Sequence, residues 1–579
     1  MKKMKQTEFV AKQTCTIVAD LLHAWGVEDV VLSPGSRNAP LIMSIVRSGR
    51  FRTHVVIDER SAAFIALGMS LASERPVAAV CTSGTALLNY APAVAEAYYR
   101  RVPLIAVSAD RPLRWIDQDD SQTIRQAGCL DNIVRASVDI PSEDGTEEQL
   151  WYANRLVNDA MSAATGPLKG PVHINVRLDE PLTAMLPENV RPYKGHKIEC
   201  RRDGFSGAIA PELAAALSSA PKILVVAGFM PPDRSVRDAL LRMARMRRIV
   251  VLHEAQANLH GGTGGDSPLI ANIDRVLSEI KDDEERRALI PDIVITLGGA
   301  LTSRNIKAFL RTADPCPRHI AVGYNDKAID CFKLLSDRIE MTPSAFVGAL
   351  SELLDSVCGA ATEFFERWNS MAVRAAERYR AVVDRAPWSD LKAMDILSRL
   401  VNDSGAGWQL HYSNGTAVRY GQLVDYGRYG RIDCNRGVSG IDGSTSTAIG
   451  AACAVPDRVT LLVTGDMSAQ YDMGALAAAF IPPRFKMVVL NNGGGGIFRF
   501  IKSTFALPEL DEFFAADVRL PLRQLASAFG FAFYEAGNEA ELRMAWPLFA
   551  AQDERPAILN LITPPSESAD ILKNYFNTK

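Results

Sequence analysis

Two segments near the carboxyl end of the chain place an oxygen-bearing side chain after a strand-like apolar run. Asp466 ends VTLLVTGD, and Asn492 ends KMVVLNN, which four glycines follow. The interval between them is the length of one helix and one further strand, so a parallel sheet would bring both to neighbouring strand ends. A carboxylate and an amide oxygen suit a hard cation such as Mg²⁺ or Mn²⁺. Glycines let backbone groups approach both metal and phosphate.

Each of these two segments alone is also typical of a surface turn, because Gly-Asp and Asn-Gly pairs form turns. Only the combination, with each half at a strand end, favours a metal and phosphate site. Arginines in other loops add a second chemistry, since a guanidinium binds a carboxylate through two parallel hydrogen bonds. The alternative for any single arginine is a surface ion pair. The candidate arginines are Arg37, Arg111, Arg304, Arg419 and Arg436.

The elements that would position these residues are short apolar strands alternating with helices. VEDVVL, PVAAVC and VPLIAV lead in turn to the loops SPGSR, TSGTA and SADRP, and similar runs recur twice further along the chain. This pattern predicts an α/β protein with three successive doubly wound parallel-sheet domains. We expect domains at 1–185, 200–355 and 380–579. Ligands of such sheets bind beyond the carboxyl ends of the strands, where these loops fall.

Bulk composition narrows the class of protein. Lys plus Arg number 64 and Asp plus Glu 67 in 579 residues, which argues against a nucleic-acid partner. The nine cysteines form no CxxC pair, so a zinc or redox site is not expected and free thiols suit a reducing compartment. No apolar run has membrane-spanning length, and charged residues interrupt the first apolar segment. These features predict a cytoplasmic protein without a membrane partner.

The GD and NN segments resemble the metal and diphosphate motif of thiamine-diphosphate enzymes. By that resemblance Asp466, Asn492 and the Gly494 carbonyl bind Mg²⁺ (or Mn²⁺). Glu59, at the start of a helix in DERSAAFIALG, resembles the carboxylate that activates the cofactor in this superfamily. Its alternative role is a first-turn acid favoured by the helix dipole. The resemblance also implies active sites between subunits of a homodimer or homotetramer. The implied cofactor-binding residues are Glu59, Ser83, Gly84, Ser439, Ile441, Asp466, Met467, Ser468, Asn492, Gly494, Gly496, Ile497 and Phe498.

SPGSRNAPL, TSGTALLNYAPAVAEA, CNRGVSGIDGSTSTAIG and GDMSAQYDMGAL together resemble the 2-succinyl-5-enolpyruvyl-6-hydroxy-3-cyclohexene-1-carboxylate synthases (MenD) of menaquinone synthesis. Membership implies decarboxylation of 2-oxoglutarate and 1,4-addition of the succinyl carbanion equivalent to isochorismate. It also implies a pyrimidine-binding-type first domain, a central α/β domain and a diphosphate-binding-type last domain. The implied substrate-binding residues are Ser36, Arg37, Arg111, Ser121, Gln122, Arg304, Gly415, Arg419 and Arg436.

Three positions depart from the family's usual residues. Gly415 stands where a serine is common, Ser121 replaces an asparagine, and Gly493 replaces the third asparagine of the metal loop. Two other functions remain as alternatives: another thiamine-diphosphate 2-oxo-acid decarboxylase or carboligase, and a nucleotide- or flavin-binding module. No GxGxxG follows KILVVAG in the central domain, which argues against the second.

Overall fold

The computed structural model describes residues 9–199, 208–260, 267–355, 362–404, 407–425, 427, 429–501, 503–515 and 520–577. Cys200 and Cys358 lie outside these residues, and the seven described cysteines are free thiols. The chain divides into two compact units. One comprises residues 1–203, 435–460 and 471–485, and the other comprises 204–434, 461–470 and 486–579. Within the described residues, no helix is both long and apolar enough to cross a bilayer.

Three six-stranded parallel sheets form the framework, which confirms the predicted fold class. The first sheet has the order β2-β1-β3-β4-β6-β5, the second β12-β11-β10-β7-β8-β9, and the third β14-β13-β15-β16-β18-β17. The strands are β1 Asp29–Leu32, β2 Arg52–Val55, β3 Val77–Cys81, β4 Leu104–Asp110, β5 Ala136–Ile140, β6 Val172–Arg177, β7 Ile223–Ala227, β8 Val250–His253, β9 Leu269–Ile270, β10 Ile293–Leu297, β11 Arg318–Val322, β12 Leu335–Ile339, β13 Gln409–Tyr412, β14 Arg431–Cys434, β15 Thr460–Gly465, β16 Phe485–Asn491, β17 Ala532–Ala536 and β18 Ala557–Ile562.

Helices connect most of the successive strands, as is usual for parallel pairing. They are α1 Gln13–Ala24, α2 Ala39–Ser48, α3 Glu59–Ser73, α4 Thr85–Leu88, α5 Ala91–Arg100, α6 Glu147–Thr165, α7 Pro211–Ser219, α8 Arg234–Arg245, α9 Ile273–Leu277, α10 Asp283–Ala288, α11 Arg304–Arg311, α12 Pro343–Asp355, α13 Thr362–Arg385, α14 Asp390–Asp403, α15 Thr416–Gly421, α16 Ser444–Ala454, α17 Asp466–Tyr471, α18 Leu522–Ala528, α19 Glu539–Ala550 and α20 Pro565–Asn577.

Burial of the central strands explains their continuous apolar sequences. Every residue of β1, β3, β4 and β6 is buried, because helices cover both faces of the sheet. The edge strand β2 is largely exposed. Ile17, Leu21, Val30 and Ile174 belong to one core of the first unit, on which α1 and α6 pack. The loops that leave the carboxyl ends of these strands are thereby held on a rigid base.

Candidate functional site

The carboxylate of Asp466 lies at the end of β15 and is held by backbone N–H groups. Its Oδ1 accepts the N–H of Met467 at 2.7 Å, and its Oδ2 accepts the N–H of Gly494 at 2.8 Å. β15 and β16 are neighbours in the third sheet, so their carboxyl ends meet. Burial raises the pKa of Asp466, and the backbone hydrogen bonds oppose that shift. The fold thus brings Asp466 and the glycine loop together, as the spacing predicted.

Asn492 is oriented by a second buried acid, Asp390, at the start of α14. The Asn492 amide Nδ2 donates to Asp390 Oδ2 at 2.8 Å, and Thr563 Oγ1 donates to Asp390 Oδ1 at 2.5 Å. Burial raises the pKa of Asp390 to about 6. Because the amide nitrogen is used by Asp390, the amide oxygen of Asn492 remains for another ligand. Sequence reasoning missed Asp390, since an acid in the first turn of a helix is common and carries no further signal.

The glycine loop has a backbone that side chains would strain. Gly493, Gly494 and Gly495 have φ values of +81°, +106° and +60°, in the left-handed region. A Cβ on Gly495 would also lie 2.7 Å from the Ala515 Cα. Consecutive residues of this kind turn backbone N–H and C=O groups toward one concave side, which suits a bound ion or phosphate. The glycine at 493 therefore fits the loop's own geometry.

The donor set near Asp466 matches a hard cation that keeps phosphate and water among its ligands. It offers one carboxylate, one amide oxygen and backbone carbonyls. In the parts of the chain that the structure describes, no group of three or more His, Cys, Asp or Glu side chains converges as a metal site. A cation that shares its coordination with a diphosphate needs fewer protein acids than such a cluster supplies.

In the first unit, Arg37 and Arg111 follow β1 and β4 and influence one another electrostatically. Arg37 Nη1 donates to the Leu178 carbonyl at 3.1 Å and lies 3.2 Å from Glu180 Oε1. Arg111 Nη1 lies 2.7 Å from Asp120 Oδ2. Burial and then the Arg111 charge lower the pKa of Arg37. The two guanidinium groups thus lie near one another at the carboxyl edge of the first sheet, and each is paired with an acid.

Gln122 contacts the loop that follows β3. Its Nε2 donates to the Ser83 carbonyl at 3.0 Å, while the Gly84 N–H donates to Gln126 Oε1 at 2.6 Å. Ser121 and Gln122 both have positive φ, at 38° and 37°. The structure thus brings Ser83, Gly84 and Gln122 together. Gln126, which sequence reasoning missed, is buried beneath them and also donates to the Ala109 carbonyl at 3.1 Å.

Glu59 is the first residue of α3, and the preceding Asp58 caps that helix. Asp58 Oδ1 accepts the N–H of Arg60 at 3.0 Å and the N–H of Ser61 at 3.3 Å. α3 packs closely along α16 in the same unit. A Cβ on Gly68 of α3 would overlap the Thr447 carbonyl of α16. The position of Glu59 therefore depends on two helix backbones in direct contact.

The loop that carries Arg436, Ser439 and Ile441 precedes α16 and is anchored by Glu96 of α5. Both Glu96 carboxylate oxygens accept backbone N–H groups, from Gly437 and Val438, at 2.8 Å each. Burial raises the pKa of Glu96, and Arg100 is the main opposing charge. Ser439 has a φ of +65°. Glu96 was not identified from the sequence, because a glutamate on an amphipathic helix normally faces solvent.

The second unit contains a cavity of about 830 Å³ that combines cationic and aromatic side chains. Arg304, at the start of α11, and Arg419, in α15, both line it. The other lining residues include Asp274, Phe500, Phe505 and Lys573. Gly415 lies just before α15 with a φ of +98°. The structure therefore brings Arg304 and Arg419 to one cavity, although they are far apart in sequence.

The remaining predicted residues lie in loops at strand ends or just beyond them. Ser36 is exposed and follows β1, and Ser468 is buried in α17. Gly496, Ile497 and Phe498 continue the glycine loop toward Phe500. The Phe498 ring lies 5.8 Å from that of Phe514.

Two segments, one toward each end of the chain, match models of known protein families. Residues 12–129 match the model described as thiamine pyrophosphate enzyme, N-terminal TPP binding domain. Residues 418–561 match the corresponding C-terminal TPP binding domain. The first segment includes Glu59, and the second includes Asp466 and Asn492. The protein is therefore a thiamine-diphosphate enzyme.

Three similar proteins, described next, are all named 2-succinyl-5-enolpyruvyl-6-hydroxy-3-cyclohexene-1-carboxylate synthase. The relative from Porphyromonas gingivalis is 39% identical over 576 residues, covering 98% of each chain. The relative from Flavobacterium johnsoniae is 34% identical and covers 96% of this chain and 97% of its own. That from Desulfotalea psychrophila is 35% identical, with 95% and 98% covered. The chain belongs to the 2-succinyl-5-enolpyruvyl-6-hydroxy-3-cyclohexene-1-carboxylate synthase family.

Proposed function

We propose that this enzyme decarboxylates 2-oxoglutarate and adds the succinyl unit to isochorismate in a 1,4-addition, as a step of menaquinone biosynthesis. The observation that carries the proposal is the joint presence of a glycine loop beside Asp466, which suits a cation and a diphosphate, and of several arginines in the segments that follow strands. Both substrates are dicarboxylates, so their binding needs several guanidinium groups. A decarboxylase of a monocarboxylic 2-oxo acid would need fewer.

We propose that Asp466, Asn492 and the Gly494 carbonyl hold Mg²⁺ or Mn²⁺ together with the diphosphate. Asp390 fixes the Asn492 amide so that its oxygen faces the ion, and the glycine loop supplies backbone groups. Ser83, Gly84, Ser439, Ile441, Met467, Ser468, Gly496, Ile497 and Phe498 are the further proposed cofactor contacts. Bound thiamine diphosphate supplies the carbanion chemistry that releases CO₂ and forms the new carbon–carbon bond.

We assign proton handling to Glu59. A carboxyl group at the start of α3 can hold a proton against a ring nitrogen of the cofactor, and the Asp58 cap and the α3–α16 contact fix its position. The proposed mechanism assigns no catalytic role to a histidine. Proton transfer between an acid and a ring nitrogen is general acid–base chemistry, in which geometry is the first requirement.

We propose that the substrate carboxylates bind to arginines in two groups. Arg37 and Arg111 form one group with Ser36, Ser121 and Gln122, and Arg304 and Arg419 form another beside Gly415. Arg436 lies in the loop that Glu96 holds. A sheltered charge-assisted hydrogen bond contributes roughly 1.5–3 kcal/mol, so losing one arginine should weaken substrate binding markedly.

We further propose a homodimer or homotetramer with active sites between subunits, acting in the cytoplasm without a nucleic-acid or membrane partner. Free thiols at the seven described cysteines support a reducing location. We also propose that the chain has three domains, at 1–185, 200–355 and 380–579. Sedimentation of the holoenzyme would measure the oligomeric state directly.

The experiment that tests this function is product formation by purified protein, with each component omitted in turn. The complete mixture contains thiamine diphosphate, Mg²⁺, 2-oxoglutarate and isochorismate. We expect the succinylated cyclohexene carboxylate only when all four are present. Equal consumption of 2-oxoglutarate or pyruvate without isochorismate would instead indicate another thiamine-diphosphate decarboxylase or carboligase.

A further inference from the structure

The cavity of the second unit contains an acid among its arginines, although an anion-binding site is expected to exclude one. Asp274, in α9, lines the same cavity as Arg304 and Arg419. Burial raises the pKa of Asp274, and hydrogen bonding from Ser303 is the first of the effects that oppose it. An acid in this place either weakens anion binding or organises the cations around it. Its contacts distinguish these two roles.

Asp274 is bound to both residues that flank Arg304. The Ser303 hydroxyl donates to Asp274 Oδ1, and the same Ser303 oxygen accepts the Ile306 N–H at 3.2 Å as the cap of α11. The side chain and backbone of Asn305 also form hydrogen bonds with Asp274. The first turn of α11 is therefore attached to Asp274 on either side of the arginine.

Asp274 also interacts with Arg419, which belongs to a different helix. The Arg419 charge lowers the pKa of Asp274, against the effect of burial. One carboxylate consequently links the two segments that supply guanidinium groups to the cavity. Without a negative charge between them, two arginines on one wall would repel each other and turn toward solvent.

A second buried acid, Glu254, holds the backbone just before the first turn of α11. Glu254 follows β8 and is 2% exposed. Its carboxylate oxygens accept the N–H of Thr302 at 2.8 Å and the N–H of Ser303 at 2.7 Å. Burial raises the pKa of Glu254, and these two backbone bonds oppose that shift. The residues before Arg304 are thus held at their backbone by Glu254 and at their side chain by Asp274.

We propose that Asp274 is a positioning residue that fixes Arg304 and Arg419 on one wall of the cavity so that they bind a dicarboxylate substrate together, with Glu254 holding the backbone beneath them. This inference rests on the proposed function and extends it to an acidic residue in the wall of the cavity. Asp274 acts through the two arginines, so its loss should affect substrate binding more than the chemical step.

The test compares Asp274→Asn with Asp238→Asn, a matched change in the same unit. The amide introduced by Asp274→Asn would keep an acceptor for Ser303 and lose the charge that faces Arg419, whereas the Asp238 side chain is 62% exposed and pairs with Arg237 on α8. The KM for each substrate and kcat are measured on holoenzyme. We expect Asp274→Asn to raise at least one KM about tenfold with a smaller change in kcat, and Asp238→Asn to change neither.

A binding measurement separates this inference from the proposed function. The Tm of each holoenzyme is measured with and without isochorismate alone or glutarate, because neither compound is turned over without 2-oxoglutarate. Ligand binding to the folded state raises Tm. We expect this rise to be reduced in Asp274→Asn and retained in Asp238→Asn. If wild-type protein forms no product yet shows this difference, the proposed reaction fails and the role of Asp274 stands.

Two results would overturn the inference. One is wild-type KM values together with a wild-type ligand-induced rise in Tm; the other is a lower Tm without ligand while both KM values stay unchanged, which would make Asp274 purely structural. Should Asp274→Asn fail to fold, Ser303→Ala tests the same link, because it removes the hydroxyl that joins Asp274 to the turn before Arg304. It is expected to raise the same KM by a smaller factor.

Discussion

The Asn492 amide nitrogen donates a 2.8 Å hydrogen bond to the buried carboxylate of Asp390. This contact decides which end of the Asn492 amide faces away from Asp390, and hence which atom is available to a cation. The sequence contains two adjacent asparagines at this point, and their types do not distinguish them. Their different surroundings do, since Asn492 is buried beside an acid and Asn491 is the last residue of β16.

We predict that Asp390→Asn weakens cation binding about 10- to 100-fold, as is usual when a residue that orients a metal ligand is changed. If the amide at 390 presents its NH₂ group to Asn492, the Asn492 amide has to rotate, and rotation would replace the oxygen that we propose as the metal ligand by nitrogen. Titration of apoenzyme with Mg²⁺ in the presence of thiamine diphosphate measures the affinity. Asp403→Asn, at the exposed end of the same helix, is the control. Equal affinities in the two variants would contradict the orienting role.

Glu59→Gln should abolish turnover and leave thiamine diphosphate and Mg²⁺ affinity within a few-fold of wild type. The amide cannot supply the proton that the proposed role requires, while its size preserves the start of α3. Product formation and cofactor titration are measured on the same preparation. Glu147→Gln is the matched control, because Glu147 also opens a helix and is exposed. Turnover that is unaffected in both variants would leave Glu59 with only a helix-dipole role.

Arg111→Ala should raise the KM of a dicarboxylate substrate by about tenfold or more while cofactor affinity stays unchanged. Removal of this guanidinium leaves Arg37 without its neighbour at the carboxyl edge of the first sheet. Arg75→Ala serves as the control, since Arg75 precedes β3 at the opposite edge and pairs with Glu28. A selective loss of thiamine diphosphate binding would count against a substrate role for Arg111.

The strands that could be predicted from sequence are mainly the inner strands of each sheet. Each sheet's four inner strands were identified by their apolar runs, together with the edge strand β2. The strands that were missed are β5, β9, β12, β14 and β17, and every one of them is a sheet edge. The edge strand β12, LSDRI, is only partly buried and carries polar residues, so no apolar run marks it as a strand. Tertiary pairing, which a single sequence does not display, forms them.

The residues of the candidate site also fall into those that could be predicted from the sequence and those that could not. Asp466, Glu59 and the arginines all lie a short distance after the end of a strand, some of them in the helix that follows, so alternation of elements and family resemblance both indicate them. Asp390, Glu96, Asp274 and Glu254 act on other residues across long sequence separations. Glu96, for example, accepts the N–H of Gly437, which is more than 300 residues away. No local pattern marks such an acid, because its function depends on burial that only the folded chain creates.

His173 should contribute a loss of stability to the first unit as the pH is lowered from about 6.5 toward 4. His173 lies between β4 and β5, with its Nε2 2.8 Å from Ser108 Oγ. Burial lowers the pKa of His173 to about 4, so between these values the unfolded chain binds a proton that the folded chain does not. One such group lowers the free energy of unfolding by up to about 1.4 kcal/mol per pH unit. Urea midpoints measured from pH 7.5 to 4 should decline less steeply in His173→Gln than in wild type; parallel declines would exclude His173 as a contributor.

Gly68→Ala should destabilise the protein, whereas Gly348→Ala should not. Both glycines lie within helices, α3 and α12. A Cβ at 68 would overlap the Thr447 carbonyl of α16, a backbone atom that cannot rotate away, but a Cβ at 348 meets no atom within 4 Å. Alanine at 348 should therefore stabilise by up to about 1 kcal/mol, through helix propensity alone. Forced separation of α3 and α16 should cost roughly 3 kcal/mol and displace Glu59, lowering both Tm and kcat. Calorimetry and turnover on both variants provide the check, and a Gly68→Ala protein with wild-type Tm and kcat would show that the close helix contact does not hold Glu59 in place.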